Sequence, residues 1–297
     1  MDKKILTDLQ RNCRLSYQEL SRKYGISANA IRRRILNLEE SGVISGYSIH
    51  MSPAMTGTSF LFGILLTDGS RDEVEMVDEI GSSKYIMAAS SYTDGSYAFV
   101  AEYHGPQELH ELGSFLRTLD SVESTELHTI IGTWGAKMKL TKTHLRVLEP
   151  LLKDPRLPIV DVAQMTGLTA RRVRRLIGEL EDSDALRFGT LIELGATTSL
   201  PFIVRILWDE KTATYSSIAD WLETAYPIHH RETYISASEP VIYSLLVADD
   251  LTELVEIVRS IRKNEYVKSV KASISGHHKY FSSYRYEKLI QMVKESI

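Results

Sequence analysis

The sequence predicts an α+β chain that carries one two-part unit twice: a module of short helices, then a module with a single antiparallel sheet. Three observations carry this. The stretch Gly25 to Ser41 reappears as Gly167 to Ser183 without a gap, so Gly25, Ile31 and Leu38 stand 142 positions before Gly167, Val173 and Leu180. A repeat of that length duplicates a multi-element unit, not a solenoid turn. The hydrophobic period is helical up to Gly42 and strand-like from Ser59. In both copies the later segments alternate in the order βαββαβ, which is ferredoxin-like.

Met1 to Asn12 reads as a first helix with Ile5, Leu6 and Leu9 inward. Ser16 caps a second helix, with Glu19 three residues on as in a capping box. Gly25 turns the chain into a third helix, which Ser27 caps and Gly42 ends. Ile31, Ile35 and Leu38 form its apolar stripe. At about 100° per residue, Asn29, Arg33, Leu36 and Asn37 point away from that stripe, with Arg32 and Arg34 on its flanks. Val43 to Ile49 then alternates as a strand would. Three short helices, a tight turn before the third and a trailing strand describe a winged helix-turn-helix over 1–57. An outward face of Asn and Arg suits the major groove, where Asn pairs with adenine and Arg with guanine or phosphate.

In the segment 58–132, Phe60 to Leu66 reads as a buried strand and Glu73 to Ile80 as a helix. Tyr85 to Tyr92 and Tyr97 to Tyr103 form a hairpin around Thr93-Asp94-Gly95-Ser96. A helix through Leu109, Leu112, Phe115, Leu116 and Leu119 and a strand from Val122 to Ile131 complete the unit. Both helices fall on one sheet face, so the other face requires a partner sheet or a ligand. Gly132-Thr133-Trp134-Gly135 marks a boundary. A second winged module is expected over 143–195, with Thr169 as cap and Arg171, Arg172, Arg174 and Arg175 as its cationic face. A second ferredoxin-like domain is expected over 198–297, closed by a helix from Tyr284 to Ile297.

Composition bounds the class. The 297 residues are 43% hydrophobic and 25% charged, as in a soluble globular protein. The formal charge of −4 argues against indiscriminate polyanion binding by the whole surface. Residues 1–50 nevertheless hold 9 Lys and Arg against 5 Asp and Glu, a local basic patch. The lone Cys13 excludes an intrachain disulfide and fits a reducing cytoplasm with a packing role. No apolar run approaches the ~20 residues of a membrane span. The pairs His229-His230 and His277-His278 each offer one ligand per face at best, so neither a metal nor a cofactor site is expected. Without a phosphate-cradling loop or a nucleophile motif, the chain is expected not to be an enzyme.

Taken together, Leu9-Gln10, Arg14-Leu15-Ser16, Glu19-Leu20, Gly25-Ile26-Ser27, Ile31, Arg34-Ile35, Leu38-Glu39 and Gly42 to Tyr47 resemble the DNA-binding half of the Lrp/AsnC family. Pro53 and Gly57 also fall where that pattern has them, and Gly95-Ser96-Tyr97 is similar to the effector domain. The resemblance implies a transcriptional regulator that binds double-stranded DNA. Arg33, Asn29 and Asn37 are candidates for base edges, and Arg32, Arg34, Arg14 and Arg22 for phosphates. It also implies pairing through the ferredoxin-like domains, inside the chain or as a homodimer or higher oligomer, and an amino-acid-like effector. The second copy departs from the first: Leu176 replaces Arg34, Asp184 replaces Gly42, and Gly178 sits inside the helix. Ala98 stands where the family often has an acidic residue. Siroheme decarboxylases resemble the family in architecture, so the alternative is a small-molecule sensor or tetrapyrrole enzyme whose winged modules do not read DNA.

Overall fold

The computed structural model describes residues 1–132, 134–196 and 199–296. Thr133, Thr198 and Ile297, at expected domain limits, lie outside them. The chain forms two compact units, and each draws on both copies. One holds Met1–Gly57, Trp134–Ala196 and Tyr284–Ile297; the other holds Thr58–Thr133 and Thr197–Ser283.

The first winged module comprises α1 (Asp2–Arg11), α2 (Tyr17–Tyr24), α3 (Ala28–Glu40) and β1 (Ile44–Met51), followed by a single turn α4 (Pro53–Thr56). The first βαββαβ module is β2 (Ser59–Thr67), α5 (Glu73–Ile80), β3 (Ile86–Tyr92), β4 (Ser96–Tyr103), α6 (Gly105–Leu116) and β5 (Val122–Ile131). The second copy runs α7 (Lys142–Lys153), α8 (Ile159–Thr166), α9 (Ala170–Asp182) and β6 (Leu186–Ile192). It continues with β7 (Leu200–Trp208), α10 (Tyr215–Ala225), β8 (His230–Ser236), β9 (Val241–Ala248), α11 (Leu251–Arg262), β10 (Val267–Tyr280) and α12 (Tyr284–Ser296). Local chemistry sets the helix ends. Ser16 and Glu19 form a reciprocal capping box, and Gly25 and Gly167 take φ of 68° and 65° to turn into α3 and α9. Asp184 holds φ of 53° where Gly42 holds 77°, so the second copy keeps the left-handed turn without the glycine.

In the first unit the two wings pair. β1 and β6 form an antiparallel ribbon in which Tyr47 faces Thr190, Ser48 faces Gly189, Ile49 faces Phe188 and Gly46 faces Leu191. Moving Tyr47 forward and Thr190 back by the repeat offset gives Gly189 and Ser48, which are the next pair along. The ribbon therefore carries a local two-fold axis that relates one winged module to the other. Their core is shared: Cys13, Ile49 and Met51 of the first copy pack with Leu148, Val173, Ile177, Leu180 and Phe188 of the second. The modules expected as separate domains at 1–57 and 143–195 are thus one packed body. Burial in this core pushes the Cys13 thiol up to about 12, which makes it inert.

The last helix corrects the expected 198–297 domain. α12 leaves the sheet unit and packs on α7 and β1, with Leu289 and Val293 in the winged core. Buried Arg285 donates from Nη1 to the Met51 carbonyl and fixes its start. An amphipathic helix fits any apolar surface of the right width, so its pattern alone does not name its neighbour.

In the second unit, β10-β3-β4-β2-β5-β8-β9-β7 close into a barrel. Each ferredoxin-like sheet lends its last strand to the other copy, β5 to β8 and β10 to β3. One face of each sheet is covered by its own helices, with Leu61, Phe99, Val77 and Leu112 in one core and Val204, Ile242, Ile218 and Ile257 in the other. The opposite faces meet each other through Phe60, Phe62, Ile203, Val241 and Tyr243. The sheet face that required a partner finds it within the chain.

Gly63 in β2 is demanded by its cross-strand neighbour. Phe99 lies opposite it, and a Cβ on Gly63 would stand 2.1 Å from Phe99 Cζ. That ring is 1% exposed and has no room to retreat. Gly63→Ala is expected to cost about 1–3 kcal/mol by overpacking, read as a lower urea midpoint at unchanged slope.

Candidate nucleic-acid interface

α3 is held from behind and capped in front. Ile31 and Ile35 are fully buried, and the Ser27 hydroxyl accepts from the Ala30 amide at 3.1 Å. Ser27, Asn29, Arg32, Arg33, Arg34 and Asn37 are exposed, as is Arg22 on α2. Arg34 Nη1 meets Asp2 Oδ1 at 2.7 Å, a surface pair of little energetic weight. The outward side is therefore cationic and amide-bearing along more than two turns.

α9 repeats the arrangement with different chemistry. Thr169 Oγ1 accepts from the Arg172 amide at 3.3 Å, and Val173, Ile177 and Leu180 are buried. Arg171, Arg172, Arg174 and Arg175 are exposed. Leu176, in the place of Arg34, is 3% exposed and fills the core instead of flanking the outward side. Glu179, in the place of Asn37, accepts from His144 Nε2 at 3.0 Å and lies 3.6 Å from Arg175 Nη1. A Cβ on Gly178 would meet nothing within 4 Å, so no neighbour requires that glycine.

Arg14 is a correction. Expected on phosphate, it is turned into the seam between the modules, where it donates to the carbonyls of Pro155 and, at 3.1 Å, Leu157. Its guanidinium carbon lies 5.7 Å from the centroid of the Phe188 ring. Its repeat-mate Arg156 behaves alike, donating to Tyr47 Oη at 2.9 Å and stacking over Tyr17 and Tyr47. Asn12 Nδ2 to Glu181, the Cys13 amide to the Phe188 carbonyl, and Thr190 Oγ1 to the Leu9 carbonyl close the seam. An arginine at the same place in both copies is no signal by itself, since Arg33 and Arg175 also coincide and are exposed.

The sheet unit holds a polar cluster that sequence reasoning did not single out. Fully buried Tyr243 is its hub: its hydroxyl donates to Glu126 Oε2 at 3.3 Å and accepts from Arg205 Nε at 3.2 Å. His128 Nε2 lies 3.2 Å from the same hydroxyl, and its Nδ1 lies 3.1 Å from Ser236 Oγ. With Tyr243 donating to the carboxylate, His128 fills its remaining acceptor site as the Nε2–H tautomer. Burial pushes the Tyr243 phenol up to about 12. These residues lie on β5, β7, β8 and β9, far apart in sequence: Arg205 and Tyr243 are ladder partners on β7 and β9, and the meeting of the two sheets brings Glu126 and His128 to them.

Comparison with known proteins fits this geometry. A family model described as winged helix-turn-helix DNA-binding matches residues 1–45 and 140–187. The HTH-type transcriptional regulator FL11 of Pyrococcus furiosus is 31% identical over 133 residues, covering 44% of this chain and 86% of that protein. The regulatory protein AsnC of Haemophilus influenzae is 28% identical over 131 residues, covering 42% of this chain and 86% of that protein. Over 99% of its length the chain is similar to a solved siroheme decarboxylase, NirDL, with a TM-score of 0.55, 13% identity and 97% of that chain covered. That likeness is one of fold, and it corrects the expectation that this chain is no enzyme: an enzyme stands on the same scaffold end to end, so missing catalytic motifs exclude nothing. Both of these sequence relatives are regulators, and each match spans less than half of this chain. With its two basic helices on one two-fold ribbon and its paired ferredoxin-like sheets, the chain belongs to the Lrp/AsnC family of DNA-binding transcriptional regulators, in a form that carries two family units in tandem.

Proposed function

We propose that one chain reads duplex DNA with α3 and α9 in two major grooves on one face of the helix, about one helical turn or a multiple of it apart. Asn29, Arg33 and Asn37 contact base edges from α3, and Arg32, Arg34 and Arg22 neutralise phosphates. Arg171, Arg172, Arg174 and Arg175 do the corresponding work from α9, with Ser27 and Thr169 at the helix starts. The observation that supports this most is the ribbon register, which relates the two helices by the same offset as the sequence repeat. The ferredoxin-like sheets pair inside the chain, so a single chain supplies both readers and association of chains adds further pairs. A gel shift with genomic fragments at two salt concentrations tests the reading. Binding should weaken steeply with salt while keeping its preference over competitor DNA; a shift abolished equally by any competitor would overturn it.

A second reading rests on the likeness of fold to NirDL: the sheet unit holds a carboxylated small molecule, as effector or substrate, with Arg205 of the polar cluster as the candidate cation. Absorbance titration with an iron uroporphyrin, the class of compound bound to NirDL, tests it. Saturable binding that Arg205→Ala abolishes supports this reading, and no spectral change removes it.

A further inference from the structure

We propose that the two helices read different bases, so that the DNA site is asymmetric at the symmetry-related position under Asn29 and Arg171: adenine under α3 and guanine under α9. The inference rests on the major-groove reading above.

The ribbon two-fold makes Asn29 the counterpart of Arg171 and Arg33 the counterpart of Arg175, and all four side chains are exposed. In an assembly of identical chains, symmetry forces both helices to carry the same residues and therefore to prefer a palindrome. Duplication within one chain removes that constraint. Arg33 and Arg175 remain the same, so each half-site keeps one guanine, read through O6 and N7. Asn29 and Arg171 do not. An asparagine amide offers one donor and one acceptor, which complements adenine N7 and N6; against guanine its oxygen would face O6, acceptor to acceptor. A guanidinium offers only donors, which complements guanine O6 and N7; against adenine it would face the N6 amino group, donor to donor. The flanks differ in the same sense. Arg34 is exposed, in a surface pair with Asp2, while its counterpart Leu176 is buried in the core, and Arg172 is exposed where the first copy has Ala30. The half-sites are thus held through different backbone positions as well as read at different bases.

Selection of the full-length protein against a random-sequence duplex pool, at two salt concentrations, tests this. The expected motif has two related halves that share one guanine and differ under Asn29 and Arg171, adenine in one half and guanine in the other; any base preference under Asn37 is confined to the α3 half, because its counterpart Glu179 is engaged by His144. Asn29→Arg should convert the adenine to guanine, shifting relative affinity for the symmetric site over the asymmetric one by roughly tenfold to hundredfold. Asn29→Ala should erase the adenine preference in that half alone. A palindromic motif with the same base at both positions, or a motif unmoved by Asn29→Arg, overturns the inference and leaves the major-groove reading standing. A pool without enrichment at either salt concentration overturns the reading itself and the inference with it.

Discussion

Acidification from pH 7 to about 4.5 is expected to remove about 5 kcal/mol of folding stability, divided between the two units. His50 on β1 and His278 on β10 each have their pKa pulled down to about 4, burial being the largest cause. Arg285 and Arg187 add to this at His50, and His277 adds to it at His278. The unfolded chain takes up these protons near the ordinary value of 6.5, the native chain only near 4. Between those values the unfolded state binds more protons, so stability is whole above pH ~6.5 and is lost as pH falls toward 4. A shift of that size is worth about 3 kcal/mol per histidine, slightly less at pH 4.5. For a protein with ~5–15 kcal/mol in hand this is a large share. Urea midpoints at pH 7 and 4.5 measure the total, and His50→Gln and His278→Gln should each flatten the dependence by about half. A midpoint equally pH-dependent in both variants would show that other groups carry the effect.

Arg33→Ala and Arg14→Ala are expected to separate completely, although both arginines lie in the first winged module. Arg33 is exposed on the outward side of α3. Its removal should weaken binding to a selected site by about 1–3 kcal/mol, or roughly fivefold to 150-fold, and relax preference at one base pair. Stability should change by less than about 0.5 kcal/mol. Arg14 spends its donors on two carbonyls of the second module and its plane on Phe188. Truncation leaves those carbonyls unpaired and the seam underpacked, at a cost of about 2–3 kcal/mol in stability. Anisotropy titration with equilibrium unfolding reads both quantities on both variants. An Arg14→Ala protein of native stability that fails on DNA would return that residue to the phosphate contacts.

The difference between those two arginines shows what was legible. α3 could be read almost to its ends because its determinants lie within 18 positions: the Ser27 hydroxyl for the Ala30 amide, the Ile31–Ile35 stripe and the left-handed Gly42. The outward identity of Arg33 follows from the helical period once that stripe is known. Arg14 sits in a turn, where no period fixes direction, and its partners lie about 140 residues away. Tyr243, His128 and Arg205 were illegible for a related reason. Strand alternation places each on a sheet face, yet says nothing of what covers that face.

By itself the sequence determined the elements, their duplication at a constant offset and the polarity of α3 and α9, because each element and each stripe depends on neighbours within a few turns of chain. Only the tertiary structure decided which surfaces meet: wing against wing, bare sheet against bare sheet, and the last helix back on the winged modules. Hydrophobic burial is non-directional, so an apolar face states that it must be covered without stating by what. Backbone register supplies the missing direction, and it exists only once two distant strands have come together.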